Sequence, residues 1–175
     1  PLEGDIVTFI GSTFLRNGEK DPYLNHCIAL HDAKIENKSE NTVLHCYDKE
    51  EDVLLAWRDI ICEEDPDIII GYNIFGFDYK FMVQRANELG IGADFLDISR
   101  TLEYVCGNRQ KDGTYKVKES SITIASGKHE TSYIRMPGRI QVDLYNYFRR
   151  GYNLESYKLD YVAGNFIRNK IQSYQ

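Results

Sequence analysis

Asn73-Ile74-Phe75-Gly76-Phe77-Asp78, entered through Gly71-Tyr72, gathers one carboxylate, one side-chain amide and three aromatic rings into a single short turn. Aromatic faces beside a carboxylate suit an unpaired base stacked next to a metal-bound phosphate. Asp78 has a second reading, because Asp is a favoured helix N-cap and stands here where a helix would begin. Local grounds leave both readings open. The company of Tyr72, Phe75 and Phe77 weighs toward chemistry, since core packing alone rarely needs three rings in so short a turn.

The elements around the turn are those of a strand-turn-helix unit. Asp65-Pro66-Asp67 stops what precedes it, because proline cannot continue a helix and biases its predecessor away from the α region. Ile68-Ile69-Ile70 is an unbroken β-branched run without polar alternation, which suits a strand buried on both faces. A run this short is also compatible with a helix by periodicity, and its length and the flanking Gly71 favour the strand. Past Asp78, the apolar residues Phe81, Met82, Ala86 and Leu89 recur at helical spacing, with Gly90 as a C-terminal stop. The turn thus falls at the carboxyl end of a strand, where open α/β sheets usually place ligands.

A chain of 175 residues, 42% of them hydrophobic, is long enough for one domain with a real core. Its net charge of -6 argues against a free-standing, non-specific nucleic-acid binder, which draws affinity from Lys and Arg on phosphates. Cys27, Cys46, Cys62 and Cys106 form no C-x-x-C pair, so neither a zinc nor a redox motif is indicated, and Cys62 reads as a small core residue. His26, His31, His45 and His129 are scattered and read as surface or satisfied positions. No segment approaches the length of a membrane span and no signal peptide is visible, which points to a reducing, intracellular setting. The opening on Pro1 directly into a strand-like run suggests a fragment.

Asp5 to Leu15 reads as a strand ending in the turn Asn17-Gly18, Tyr23 to Leu30 as its hairpin partner, and Thr42 to Tyr47 as a third strand. These three form one side of a sheet. Lys49 to Glu63 carries Val53, Leu54, Trp57, Ile60 and Ile61 at helical intervals, with Asp48 as cap and Glu50, Glu51 and Asp52 in the first turn. Trp57 reads as a core anchor. Ser99 to Cys106 is expected to be a short helix and Asn108 to Lys116 a charged loop. Lys116 to Ala125 and Glu130 to Met136 flank Ser126-Gly127-Lys128-His129 as a hairpin. Arg139 to Leu144 reads as a buried strand, with Asp143 a cap rather than a metal ligand. A helix from Tyr145 to Arg150 ends at Gly151. A last helix has Ser156 as its cap and Leu159, Val162, Ala163 and Phe166 inward.

Asn73-x-x-x-Phe77-Asp78, preceded by Asp65-Pro66-Asp67-Ile68-Ile69-Ile70-Gly71-Tyr72, resembles the second exonuclease motif of family B DNA polymerases, in the branch of eukaryotic polymerase delta and the large DNA viruses. The resemblance continues through Gly18 to Leu24, Glu50 to Trp57, Gly138 to Asp143 and Ser156 to Leu159 in the same order. It implies a ribonuclease H-like fold, a mixed sheet flanked by helices with an inserted β-hairpin. It also implies removal of misincorporated 3′ nucleotides by two-metal hydrolysis with Mg²⁺ or Mn²⁺.

The family draws its acidic ligands from three motifs, and only the second is present. Asp5-Ile6-Val7 imitates the first but has Val7 where a Glu is required, and Tyr157 and Asp160 are one residue too close for Tyr-x-x-x-Asp. Residues 1–175 are therefore expected to be part of a single exonuclease domain truncated at both ends, and the isolated chain to hydrolyse nothing. In the intact parent, a DNA-directed DNA polymerase, the resemblance gives Asp78 the role of catalytic metal ligand. It gives Asn73 that of orienting the terminal nucleotide or its phosphate, and Phe77, helped by Phe75 and Tyr72, that of packing against an unpaired base. The hairpin resembles a region that parts primer from template, and an ordinary surface hairpin is an equal reading. The implied partners are the single-stranded 3′ end of a DNA primer and the rest of the polymerase chain, with a sliding clamp as a further candidate and no membrane. The implied setting is the nucleus or a viral replication site. The competing reading is a catalytically dead scaffold or single-strand-DNA-binding domain.

Overall fold

The computed structural model describes residues 5–124 and 127–167. Alternating Phe9-Ile10-Gly11-Ser12-Thr13-Phe14 forms β1 (Phe9–Phe14), which pairs antiparallel with β2 (Leu24–Leu30) across the expected hairpin. β2 pairs in parallel with β3 (Thr42–Tyr47), giving a three-stranded sheet in the order β1-β2-β3. Residues 5–8, read as part of the first strand, lie outside it. Val7 there is buried and gives its N–H to the Glu50 carboxylate at 2.7 Å.

α1 (Glu50–Glu64) covers the sheet with Val53, Leu54, Trp57, Ile60 and Ile61. Its N-cap is Lys49, with no side-chain bond, so the cap expected of Asp48 is corrected. The first-turn acids Glu50, Glu51 and Asp52 favour this end through the helix dipole and make a side-chain cap dispensable. Trp57 is the core anchor expected, stacked on Phe95 with ring centroids 5.6 Å apart. The helix stops at Asp65 in a left-handed conformation, φ 44°. Asp65 then joins Asp67, Arg100 and Arg139: Arg100 donates to both carboxylates at 2.7 Å, and buried Arg139 donates to Asp65 at 2.7 Å and to the Pro66 carbonyl.

β4 (Ile68–Gly71) pairs in parallel with β9 (Ile140–Asp143), register Gly71↔Asp143, and α2 (Asp78–Glu88) follows the turn between. The expectation that Ile68-Ile69-Ile70 is buried on both faces is overturned, since Ile68 is 49% and Ile70 59% exposed. Ile68 and Ile70 share one face of β4, which the described residues leave uncovered, while Ile69 is half-buried against the core on the other. β9 occupies only one edge of β4, and the other edge, together with the outer edge of β1, borders an open groove of about 1080 Å³. Instead of one sheet, the described residues form the three-stranded sheet and three two-stranded ones.

Between Gly90 and Met136 the chain departs further from expectation. The helix sits at α3 (Gly92–Phe95), not at 99–106, where turns and a left-handed Glu103 interrupt it. The loop expected over 108–116 contains a small ladder, β5 (Asn108–Arg109) on β6 (Tyr115–Lys116), pinned to α2 because the Asn87 amide donates to and accepts from the Tyr115 backbone. β7 (Lys118–Ile124) and β8 (Gly127–Tyr133) form the expected hairpin, with the expected turn residues Gly127, Lys128 and His129 already in β8, and with residues 125–126, including Ser126, outside the described part.

Asp143 caps α4 (Leu144–Gly151), as expected. α5 (Leu159–Phe166) begins at an N-cap Lys158 rather than Ser156, and of its expected inward face only Val162 is buried, Leu159 and Phe166 being exposed. Cys62 is exposed and donates its thiol to the Asp97 carbonyl, so its core assignment is corrected in favour of Cys106, which is fully buried. His26, read as a satisfied position, is buried with Nδ1 lacking a hydrogen-bond partner among the described residues.

A candidate active site at the turn between β4 and α2

Two carboxylates frame the turn, and they are used differently. Asp143, buried at the end of β9, accepts the backbone N–H of Asn73 at 2.7 Å on Oδ1 and that of Phe75 at 3.0 Å on Oδ2. It also accepts the N–H of Tyr145 at 2.9 Å as the cap of α4. Charged acceptors make the stronger hydrogen bonds, so this one side chain fixes the turn to a helix start. The parallel register Gly71↔Asp143 brings residues 70 positions apart into this contact.

The turn itself is wound tightly. Asn73 is left-handed, φ 63°, and its carbonyl accepts from Gly76 and Phe77. Its side-chain amide lies over Gly76, where an added Cβ would fall 2.2 Å from Asn73 Oδ1. Asn tolerates this conformation because its short polar side chain bonds locally.

Asp78 stands at the first position of α2, exposed, with Phe77 as the N-cap and no side-chain cap bond. The capping reading of Asp78 thus finds no bond to support it. The crowding around its inner side pushes its carboxyl up, its own backbone N–H opposes this, and the nearby Asp143 charge adds to the rise. Phe77 is 57% exposed and stacked on Phe81, centroids 5.4 Å apart and planes 13° from parallel. Phe75 turns inward, against Tyr79 and Tyr133 at 6.0 Å each, and its carbonyl accepts the Ser132 N–H from β8, tying hairpin to turn. Tyr72 gives its hydroxyl to the Tyr157 carbonyl at 2.5 Å and meets Tyr145 edge-on.

The five residues named from sequence therefore lie on one turn, with Asp78 and Phe77 open and Asn73, Phe75 and Tyr72 engaged. Sequence reasoning missed two others. Asp143 was legible as a cap but not as the clamp of the turn, which needs the β4–β9 pairing. Tyr79, whose buried hydroxyl has no hydrogen-bond partner among the described residues, carries no motif signal at all. Asp78 offers the hard oxygen that Mg²⁺ or Mn²⁺ prefers. Even so, no group of three or more His, Cys, Asp or Glu among the described residues could hold a metal ion, so these residues alone do not fit one.

Residues 2–162 match the model of the family described as DNA polymerase family B, exonuclease domain. A DNA polymerase of Phaeocystis pouchetii virus is 40% identical over 98% of the chain, and one of Pyramimonas orientalis virus 37% identical over 99%. The DNA polymerase delta catalytic subunit of Oryza sativa subsp. japonica is 33% identical over 93%. The chain spans 17% of the first relative and 14% of each of the other two.

Proposed function

The chain belongs to the family B DNA polymerases, in their exonuclease domain, and on that premise we propose that it is the central piece of a 3′→5′ proofreading nuclease within a longer DNA-directed DNA polymerase. Residues 1–175 are part of one domain, of ribonuclease H-like architecture, in which an extended segment of the parent fills the groove between β1 and β4 and joins their edges into one sheet. The observation that carries the reading is the contrast at the turn. Asp78 is exposed beside the open face of Phe77, on a loop whose backbone Asp143 holds rigid.

Asp78 supplies one carboxylate to the metal site, and the remaining ligands come from the parent's flanking motifs. Divalent cations bound there would polarise the scissile phosphate and activate water. Phe77 takes the face of the unpaired terminal base, Asn73 orients the nucleotide or its phosphate, and Phe75 and Tyr72 shape the pocket wall. The net charge of -6 leaves the positive surface for the DNA backbone to the rest of the polymerase. The isolated chain hydrolyses nothing, because one carboxylate cannot hold a metal pair. The partners are the single-stranded 3′ end of a primer, the remainder of the polymerase and a sliding clamp, in the nucleus or at a viral replication site. No helix among the described residues is long and apolar enough to cross a membrane.

The test is digestion of a 3′-labelled single strand with Mg²⁺ by the complete polymerase and its Asp78→Ala variant. Digestion that collapses in the variant supports the reading. Absent digestion, or digestion indifferent to Asp78, contradicts it and favours a DNA-binding scaffold.

A further inference from the structure

The two helices that follow Asp143 bury almost nothing. None of the residues of α4 is buried, and in α5 only Val162 is. Tyr147 and Leu159 are each 55% exposed and Phe166 45%. Tyr147, Phe148, Tyr152 and Phe166 nevertheless form one continuous group, with neighbouring ring centroids 4.9–6.0 Å apart. Single exposed apolar residues are ordinary on a protein surface, whereas a contiguous apolar group carried by two helices marks an interaction face.

The chemistry of the face points to its occupant. Arg149 is held over the Tyr145 and Tyr157 rings, but Arg150, three residues beyond Tyr147, and Lys158, beside Leu159, are exposed and form no ion pair among the described residues. Aromatic rings with polar tips beside free cations suit a protein surface that is part apolar and part acidic, since Tyr, Phe and Arg anchor protein interfaces. The rings lean on one another, tilted or edge-on, instead of standing apart as platforms for successive bases. With a net charge of -6 on the chain, nucleic acid is the poorer fit. The two viral relatives carry far more chain than is described here, the present chain spanning 17% and 14% of them. A surface tethered within the same chain meets this face at a far higher effective concentration than a separate protein, and interfaces between domains of one chain have this mixed, partly polar character.

We propose that the face formed by Tyr147, Phe148, Tyr152, Leu159 and Phe166 is an interdomain docking surface, covered in the parent polymerase by an apolar and acidic segment of the same chain from outside residues 1–175. The face is also joined to the turn between β4 and α2. Tyr145 of α4 meets both Tyr72 and Tyr157 edge-on, Tyr72 gives its hydroxyl to the Tyr157 carbonyl, and Asp143 caps α4 while it clamps Asn73. A segment docked on α4 and α5 therefore braces the turn from behind. The inference rests on the chain being part of a longer polymerase, as read above, and requires neither a bound metal nor digestion.

Hydroxyl-radical footprinting of the complete polymerase tests this, each ring's oxidation rate being taken relative to its rate in urea-unfolded protein, with buried Trp57 as the closed reference. Without any oligonucleotide, Tyr147, Tyr152 and Phe166 are expected to oxidise nearly as slowly as Trp57. Arg150→Glu sets a like charge against the acidic segment and is expected to speed their oxidation severalfold. Trp57 should stay unchanged in that variant, which separates loss of docking from loss of fold. Carbodiimide coupling of the Lys158 amine to carboxylates, run on mixed isotope-labelled and unlabelled polymerase, should join Lys158 to an Asp or Glu of the same chain outside residues 1–175. The proposal is overturned by rings that react as open surface, by protection that appears only with a single-stranded oligonucleotide, or by ring oxidation indifferent to Arg150→Glu. Coupling found only between copies, or nowhere beyond residues 1–175, overturns it as well. A wild-type polymerase that digests nothing defeats the nuclease reading instead and leaves each of these outcomes decisive.

Discussion

Asp143 and Asp78 stand at opposite ends of one turn and put the same functional group to opposite uses. Asp143 is buried and accepts from three backbone N–H groups, of Asn73, Phe75 and Tyr145. Asp78 is exposed and caps nothing. A carboxylate whose acceptor capacity is filled defines geometry, and one left open can take a ligand. The same division separates the two sides of the molecule. Toward β3 and α1, Glu50 is buried against Arg85, at 2.6 and 3.0 Å, and against the Val7 N–H, while Arg85 also reaches Glu88. Toward the groove, Ile68 and Ile70 are exposed, and the buried Tyr79 hydroxyl has no hydrogen-bond partner among the described residues. The Glu50–Arg85 network, on the closed side, is satisfied within the described residues, whereas the groove side leaves Ile68 and Ile70 exposed.

The sharpest break in this comparison is Asp78→Asn in the complete polymerase. It keeps the shape and removes the charge, and digestion is expected to fall by about three orders of magnitude, or about 4 kcal/mol of transition-state stabilisation. Stability should not fall with it. A carboxyl held above its ordinary value binds its proton more tightly in the folded chain, so its contribution is greatest in acid and is lost as pH rises through the folded value, above 3.8. Asn removes that loss, and urea unfolding at neutral pH should show equal or slightly higher stability.

Asp143→Ala reverses the pattern. It leaves three N–H groups without their charged acceptor, two of them in the turn, and urea unfolding should register a loss of about 3–4 kcal/mol. Asp143→Asn, retaining one oxygen, should lose less. An Asp143→Ala chain as stable as wild type would remove the distinction drawn between the two residues.

Glu50→Gln tests the closed side, where about 3 kcal/mol should be lost because Arg85 keeps a buried charge with only Glu88 to answer it. Burial alone would push the Glu50 carboxyl up, but the Arg85 hydrogen bonds and the Val7 N–H outweigh it and hold it below 4.5. Its contribution is therefore present above that value and lost as pH falls through the lower folded one. Wild type should weaken at acid pH in urea unfolding more steeply than Glu50→Gln. The smallest effect is expected for Phe77→Ala, which should weaken binding of a single-stranded oligonucleotide to the complete polymerase by about 1–3 kcal/mol, read by fluorescence anisotropy, with the melting temperature unchanged.

Local pattern made much of this legible from the sequence. Alternation along Phe9–Phe14, the spacing of Val53, Leu54, Trp57, Ile60 and Ile61, and the hairpin over Lys118–Tyr133 are decided within a few residues, and the structure follows them. What depends on distant partners was not. Three isoleucines in a row look buried on both faces, but nothing among the described residues covers the face shared by Ile68 and Ile70, which no local pattern reports. Gly92 to Phe95 is too short to show a period, and the two-residue ladder of β5 and β6 exists because Asn87, far away in sequence, clasps Tyr115. The site divides in the same way. Asn73, Phe77 and Asp78 belong to a motif read at sight, whereas the clamp of Asp143 on Asn73 and Phe75 requires the parallel pairing Gly71↔Asp143 of two strands far apart in sequence.

The most direct test of the central claim is a crystal structure of the complete polymerase with Mn²⁺, located by its anomalous scattering. The account predicts Mn²⁺ about 2.0–2.2 Å from an Asp78 oxygen, with Asp143 still holding the Asn73 and Phe75 N–H groups and taking no metal. Mn²⁺ bound to Asp143, or absent from Asp78, would contradict the division of labour between the two carboxylates and with it the assignment of the site.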